Sequence, residues 1–411
     1  MIYKLKESID FRLNLSYVVA QGLYWMIVCC TVSLGSTYLT NRGYTTVGIG
    51  ALFAISYLLA TVLQQVVSTA TDSSTELNVL DVLGCIGALL VLDLIFACAS
   101  NGKSFATAFT FLMGAMLATL MQPFLNALNF HIQKYQIKMN FGVARASGSF
   151  FFFVMSLVAG NLMKAVSEKA APFLGLIATL LFVATIFWIF IELRNTGRNI
   201  TDDYDPFLAT TNDNSFDVEG IREFIIKYKL FFIYLIGLVG YLFGHLLINN
   251  FLFQISVNVG GDEASVGGLL AWQAIVELPA MIFFNWLKDR FGSKNLLIHS
   301  AVFYVIKIFA AAVSTSVGML YICMTFQALS FAVFIPASVH FVDEIMNEKD
   351  AVKGQAFITI AMTVGNLFSS LLGGIIIRLM GVVASLWVGT FITLVGAIIS
   401  IYSLINFTVK K

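Results

Sequence analysis

The sequence predicts an all-α polytopic membrane protein, with twelve transmembrane helices arranged as two six-helix bundles. Three observations carry this prediction. The 411 residues are 59% apolar and only 11% charged, whereas about a quarter of a soluble domain is charged. Apolar runs of membrane-spanning length recur twelve times, and a spanning helix needs about 17–25 such residues. One long polar stretch, Arg194 to Lys229, divides the runs into six and six.

The same composition excludes several classes. The net charge is +1, so no basic field recruits nucleic acid. Cys29, Cys30, Cys85, Cys98 and Cys323 all fall inside apolar runs, without metal-ligand or disulfide spacing, and read as small hydrophobes. No metal and no cofactor is expected. The charged start, Met1 to Asn14, precedes an apolar run long enough to span, so it reads as the first membrane helix and not as a cleaved signal.

The runs lie near 13–38, 44–70, 78–99, 105–131, 142–165 and 172–193, then 228–255, 264–287, 295–315, 317–346, 352–378 and 383–406. Pro123, Pro279 and Pro336 fall inside them, as membrane helices allow at kinks. The expected bundles are 1–193 and 228–411, joined by a linker over 194–227. That linker holds Asp202, Asp203, Asp205 and Pro206, with a short helix expected near Val218–Tyr228.

Lysine and arginine crowd one set of loops, among them Lys4, Arg12, Lys134, Arg198, Lys288, Lys349 and Lys411. The opposite ends hold only Arg42, Lys103, Lys164, Lys169 and Arg378. Both termini and the linker are therefore expected in the cytoplasm, which an even number of spans permits. The chain is expected to be integral to the cell membrane. Gly50 precedes Asp72 by the spacing that separates Gly267 from Asp289, so the halves read as a parallel repeat. Transporters built on such repeats carry their solute near mid-membrane.

Ionisable groups at membrane depth are costly and mark candidate sites. Glu277 is central in the eighth helix, with Gln273 one turn before it and Trp272 adjacent. A carboxylate there either pairs with a cation or holds a proton. Two readings stand: a substrate and proton site, or a structural ion pair with Lys307 of the ninth helix. Arg145 either enters a cavity or snorkels to the interface. His245, with Asn249 on its face, either relays a proton or holds two helices together. Asn126 and Asn129 suit a hydroxyl-rich ligand or an interhelical hydrogen bond. Gly365, Ser369 and Gly373 form a small-residue packing face. Asp93 in the third helix has no role that the sequence assigns.

Asp289, Arg290, Phe291, Gly292, Ser293 and Lys294 resemble the second-half signature loop of the major facilitator superfamily, with Asp72 as a degraded first-half copy. Asn140 to Gly148, Tyr241 to Asn250 and Glu277-Leu278 are similar to segments of its lactose permease branch, the oligosaccharide–proton symporters. The resemblance implies the major facilitator fold, a sugar-binding role for Arg145, and a sugar and proton role for Glu277. It places Phe152 where the branch has a sugar-stacking tryptophan. Asn126 falls where the branch has a glutamate, and Lys307 where it has an arginine. Leu242 and His245 stand where it has aspartates. Gln327 and Ser330, which do not titrate, fall near its tenth-helix histidine and glutamate.

The expected function is secondary active transport by alternating access: proton-coupled symport of a sugar-like or nucleoside-like polar solute. Binding is assigned to Asn126, Asn129, Arg145, Phe152, His245, Asn249, Trp272, Gln273 and Glu277. Coupling is assigned to Glu277, Lys307 and His245. A drug or metabolite exporter is the alternative, disfavoured by a fifth helix without the Gly-Pro pattern of the superfamily's antiporters. A receptor or scaffold is disfavoured because no folded domain outside the membrane is evident. No catalytic constellation sits at helical spacing, so an enzyme is not expected. The expected partners are the solute, H+ and the lipid bilayer, with no oligomer required.

Overall fold

A computed structural model describes residues 2–73, 77–196 and 218–407. These residues are all-helical, and twelve of their helical segments are long and apolar enough to cross a membrane. Lipid offers no partner to a backbone N–H or C=O, so each apolar run closes its hydrogen bonds within itself. Most of the linker, residues 197–217, lies outside the described residues, with Arg198, Asp202, Asp203, Asp205 and Pro206.

The chain divides into two compact units: Met1–Gly43 with Ser56–Asn214, and Tyr44–Ile55 with Ser215–Lys411. The first contains α1 (Ile2–Val28), α2 (Gly35–Asn41), most of α3 (Thr46–Ser73), α4 (Val79–Ala99), α5 (Phe105–Gln133), α6 (Phe141–Ala165) and α7 (Ala170–Asn195). Polar residues at the ends set where these helices begin. Asn78 Oδ1 accepts from the N–H of Leu80 and Asp81, while Asp81 accepts from the Asn78 N–H, a reciprocal box that starts α4. Ser104 and Asn140 cap α5 and α6 one way only, their side-chain oxygens accepting from the N–H of Thr107 and Val143. A π-helical turn, Cys29–Ser33, separates α1 from α2. The first span is therefore interrupted where the sequence predicts a continuous run.

The second unit contains α8 (Val218–Lys227), α9 (Lys229–Asn250), α10 (Leu252–Asn258), α11 (Glu263–Ile282), α12 (Phe284–Phe291), α13 (Ser293–Val313), α14 (Val317–Thr325), α15 (Phe331–Ile345), α16 (Glu348–Met380) and α17 (Val382–Asn406). The short helix expected near Val218 is α8, tied to α16 by Lys227 Nζ donating to Asp350 Oδ2 at 2.5 Å. Three predicted runs are broken. The run 228–255 ends at Asn250 and restarts as α10, and 264–287 divides at Phe283. Pro279 has no N–H for the α11 ladder, and the helix stops one turn later, where Phe283 N–H turns back to Pro279 O. The run 317–346 becomes α14, a 3-10 turn over Phe326–Ala328, and α15.

Small residues decide how closely the helices approach. A Cβ at Gly237 would lie 2.5 Å from Gly396 O, so α9 and α17 meet nearly backbone to backbone. The face at Gly365, Ser369 and Gly373 packs as expected: Ser369 is buried, and a Cβ at Gly373 would meet Leu247 of α9 at 2.5 Å. Gly292, at φ +76°, makes the tight turn between α12 and α13.

Candidate functional site

In the second unit a buried polar chain links four helical segments. His245 of α9 shares its Nε2 with Asn249 Nδ2 at 3.1 Å, one helical turn away. Its Nδ1 faces Lys307 Nζ of α13 at 3.3 Å. Lys307 Nζ donates to Gln327 Oε1 at 2.5 Å, and Gln327 Nε2 donates to Glu277 Oε1 of α11 at 2.7 Å. Lys307 is 0% exposed and Gln327 1%. Polar groups so deep are stable only when their hydrogen bonds are made. A carboxamide offers an acceptor and a donor on separate atoms, so it can serve the ammonium and the carboxylate together.

The helix break places Gln327 where it can do this. It sits in the 3-10 turn between α14 and α15, and a continuous helix through 317–346 would turn it by a different angle. Aromatic rings close the imidazole in, with Phe331 stacked at 5.1 Å and Tyr304 edge-on at 5.4 Å. Three buried oxygens on this side, Asn249 Oδ1, Gln273 Oε1 and Tyr304 Oη, have no hydrogen-bond partner among the described residues.

The first unit has a smaller cluster. The Arg145 guanidinium carbon of α6 lies 4.4 Å from the Trp25 ring centroid, and Phe152 meets the same ring edge-on at 6.3 Å. Gly148 makes room for that indole, since a Cβ there would fall 2.3 Å from Trp25 Cδ1. Gln21, one turn before Trp25, donates to Asn126 Oδ1 at 3.3 Å and to Tyr17 Oη at 2.9 Å. A cation on an aromatic face beside amides suits a ring-shaped, hydroxyl-bearing solute.

The predicted residues thus fall into groups. Glu277, Lys307, His245 and Asn249 meet in one network, and Arg145 and Phe152 meet around Trp25. Asn126 joins through Gln21. Trp272 is turned away, with its Nε1 donating to Thr325 Oγ1 at 2.9 Å and 40% of its surface exposed. Asn129 is buried, and its Oδ1 has no hydrogen-bond partner among the described residues. In the signature loop Asp289 is exposed beside Lys288, and Lys294 Nζ donates to Phe407 O at 3.2 Å. Arg290 covers Trp286 at 5.5 Å. The Asp72 side chain lies outside the described residues.

Sequence reasoning missed Trp25, Gln21 and Tyr304, and treated Gln327 as a residue that does not titrate. The spacing of Gln21 and Trp25, four apart on one helical face, is the signal that was legible. For Gln327 the signal was its place near mid-membrane, where a lone amide requires partners.

Comparison with known proteins agrees with this architecture. The family model described as "MFS_1 like family" matches residues 16–387. The uncharacterized transporter YwbF of Bacillus subtilis (strain 168) is 24% identical over 186 residues, which is 45% of this chain and 46% of that protein. The chain thus spans about half the length of the curated relative it matches. Among solved structures, the nucleoside transporter NupG superposes with a TM-score of 0.70 at 14% identity, covering 97% of this chain and 100% of that one. A bacterial homolog of the human lysosomal transporter Spinster gives 0.70 at 12% identity, covering 98% and 97%. An auto-inhibited POT family peptide transporter gives 0.71 at 10%, covering 97% and 98%. At these identities the likeness is one of fold.

Proposed function

The chain belongs to the MFS_1 like family of membrane transporters, and on that premise we propose that it moves a small polar solute of sugar-like or nucleoside-like character together with H+, by alternating access. The observation that carries the reading is the buried run Asn249, His245, Lys307, Gln327 and Glu277. Glu277 takes and releases the proton. When it is ionised, Gln327 N–H donates to it while Gln327 Oε1 holds the Lys307 ammonium. Protonation removes the charge that orders this amide, so Lys307 loses its relayed counter-charge and becomes free to seek another acceptor. A solute hydroxyl or carbonyl provides one. Charge and solute are then coupled through a single hydrogen-bonded bridge.

The side chains around Trp25 point to the substrate class. Trp25 offers a flat face, Arg145 a forked cation, and Gln21 and Asn126 amides. Sugar rings and nucleobases both use that set. On the loop charges, both termini face the cytoplasm, the bundles are 1–193 and 228–411, and 194–227 is a cytoplasmic linker in a cell-membrane protein.

Uptake into proteoliposomes tests the reading, using a panel of nucleosides and oligosaccharides and a pH gradient directed inward. The expected result is accumulation of one class that collapses with the gradient. Glu277→Gln is expected to exchange solute without accumulating it. Accumulation by that variant equal to the parent would overturn the coupling assignment, and efflux against the gradient would favour an exporter.

A further inference from the structure

We infer that the second unit binds an anionic phospholipid in a groove between α11, α12, α13 and α15, with an acyl chain in the groove and the lipid phosphate on Arg290. The groove encloses about 770 Å³, within the range of roughly 300–1,000 Å³ that holds whole organic ligands. Ten of its twelve lining residues are apolar, and the other two are Asn295 and His299. None of them takes part in the buried network around Glu277.

Two helix breaks supply the walls. The chain interrupts its helix between α11 and α12 at Phe283, and again between α14 and α15 over Phe326–Ala328. Pro279, Ala280 and Phe283 line the groove from the first break, and Ala328, Leu329 and Val333 from the second. Phe283 and Trp286 are more than half exposed. A concave apolar surface on spanning helices is covered by hydrocarbon, and one of this size accepts a chain end-on from the bilayer.

Charge selects the lipid. One span ends at Ile282 and the next begins at Ser293, so residues 283–292 lie at the level of the headgroups. Over this turn Lys288, Arg290 and Lys294 outnumber the carboxylate of Asp289. Lys288 is 3.9 Å from Asp289, Lys294 donates to Phe407 O, and the nearby Glu344 accepts from Ser293 Oγ. Arg290 is left without an acceptor among the described residues, its guanidinium over two groove residues, Trp286 at 5.5 Å and Phe291 at 5.6 Å. A forked cation at the mouth of an apolar groove complements a phosphodiester that carries an acyl chain. The ammonium of a zwitterionic headgroup would meet the same excess of cations, which favours a lipid of net negative charge. Asn295 and His299, one turn apart on α13, add N–H donors deeper in the wall, where the glycerol esters of such a lipid lie.

The test is thermal unfolding of the purified full-length protein in dodecyl maltoside micelles, at fixed pH and ionic strength. The micelles are doped with phosphatidylglycerol or with phosphatidylcholine of the same acyl chains. The parent is expected to gain a saturable rise in Tm with phosphatidylglycerol, larger than that with phosphatidylcholine. Arg290→Ala, at an exposed position, is expected to fold normally and to lose the difference between the two lipids. Ala280→Phe, which fills the groove, is expected to lose the rise with both, and Arg290→Ala decides the matter should Ala280→Phe not fold. Equal rises with both lipids in the parent overturn the site, as does an undiminished preference in Arg290→Ala. A full rise retained by a folded Ala280→Phe overturns the groove as the place of the acyl chain. A rise reproduced by inorganic phosphate alone overturns the lipid in favour of a free anion. The measurement needs no transport, so its failure leaves the reading of Glu277 standing.

Discussion

Gln327 Nε2 donates to Glu277 Oε1 at 2.7 Å. The same amide accepts from Lys307, so a residue without a titratable proton joins the two charged groups of the second unit. A leucine at 327 keeps the volume and removes both hydrogen bonds. Hydrogen bonds to charged groups contribute about 1.5–3 kcal/mol each. Gln327→Leu is therefore expected to lower the melting temperature in detergent and to abolish coupled uptake. Unchanged melting would show that the bridge contributes nothing.

Lys307 and Glu277 are expected to be energetically coupled through that amide. Removing one member of a buried charged pair costs about 3–5 kcal/mol, because the other is left uncompensated. Lys307→Ala and Glu277→Ala should each destabilise strongly, and the double variant by less than their sum. Contacting pairs deviate from additivity by about 0.5–3 kcal/mol. Unfolding of the four proteins in a denaturant series checks this, and strict additivity would refute it.

Gly148 and Trp25 fix the aromatic face of the first unit. A methyl at 148 would lie 2.3 Å from Trp25 Cδ1, so the ring must shift and its contact with Arg145 is lost. Overpacking of this kind costs about 1–3 kcal/mol. Gly148→Ala is expected to lower stability and weaken solute binding, read by a thermal shift across the solute panel. Trp25→Phe keeps a smaller ring beside Gly148, so it is expected to fold normally while binding less tightly.

Arg42 is 3% exposed and ties three segments: Nε to Glu168 at 3.0 Å, Nη1 to Ser100 O at 2.8 Å, and the plane over Tyr38. Arg42→Ala is expected to destabilise the protein by about 3–5 kcal/mol. Arg42→Lys should recover only part of this, since an ammonium lacks the planar fork. Full recovery by lysine would mean that charge alone matters there. Melting temperatures of the three proteins separate these outcomes.

Different parts of this architecture were legible to different degrees. Twelve apolar runs were readable because spanning length is a local property, and lipid forces each run to be helical. Glu277, Lys307 and His245 stood out because charge at that depth is rare. Trp272 illustrates what was not readable: adjacent to Gln273 in sequence, it turns to Thr325 instead. Gln327 shows the same from the other side. Its role depends on a 3-10 turn that the hydropathy of 317–346 does not reveal.

The sequence by itself determined the helical class, the number of spans and the few polar groups that the apolar runs contain. Those follow from composition and period along the chain. Only the tertiary structure decided which of those groups meet. It interposed Gln327 between Glu277 and Lys307 and placed Trp25 beneath Arg145. The reason is geometric. A helix break or a π turn rotates every later side chain about the axis, and a glycine sets how near two axes come. Neither effect leaves a mark in hydrophobicity.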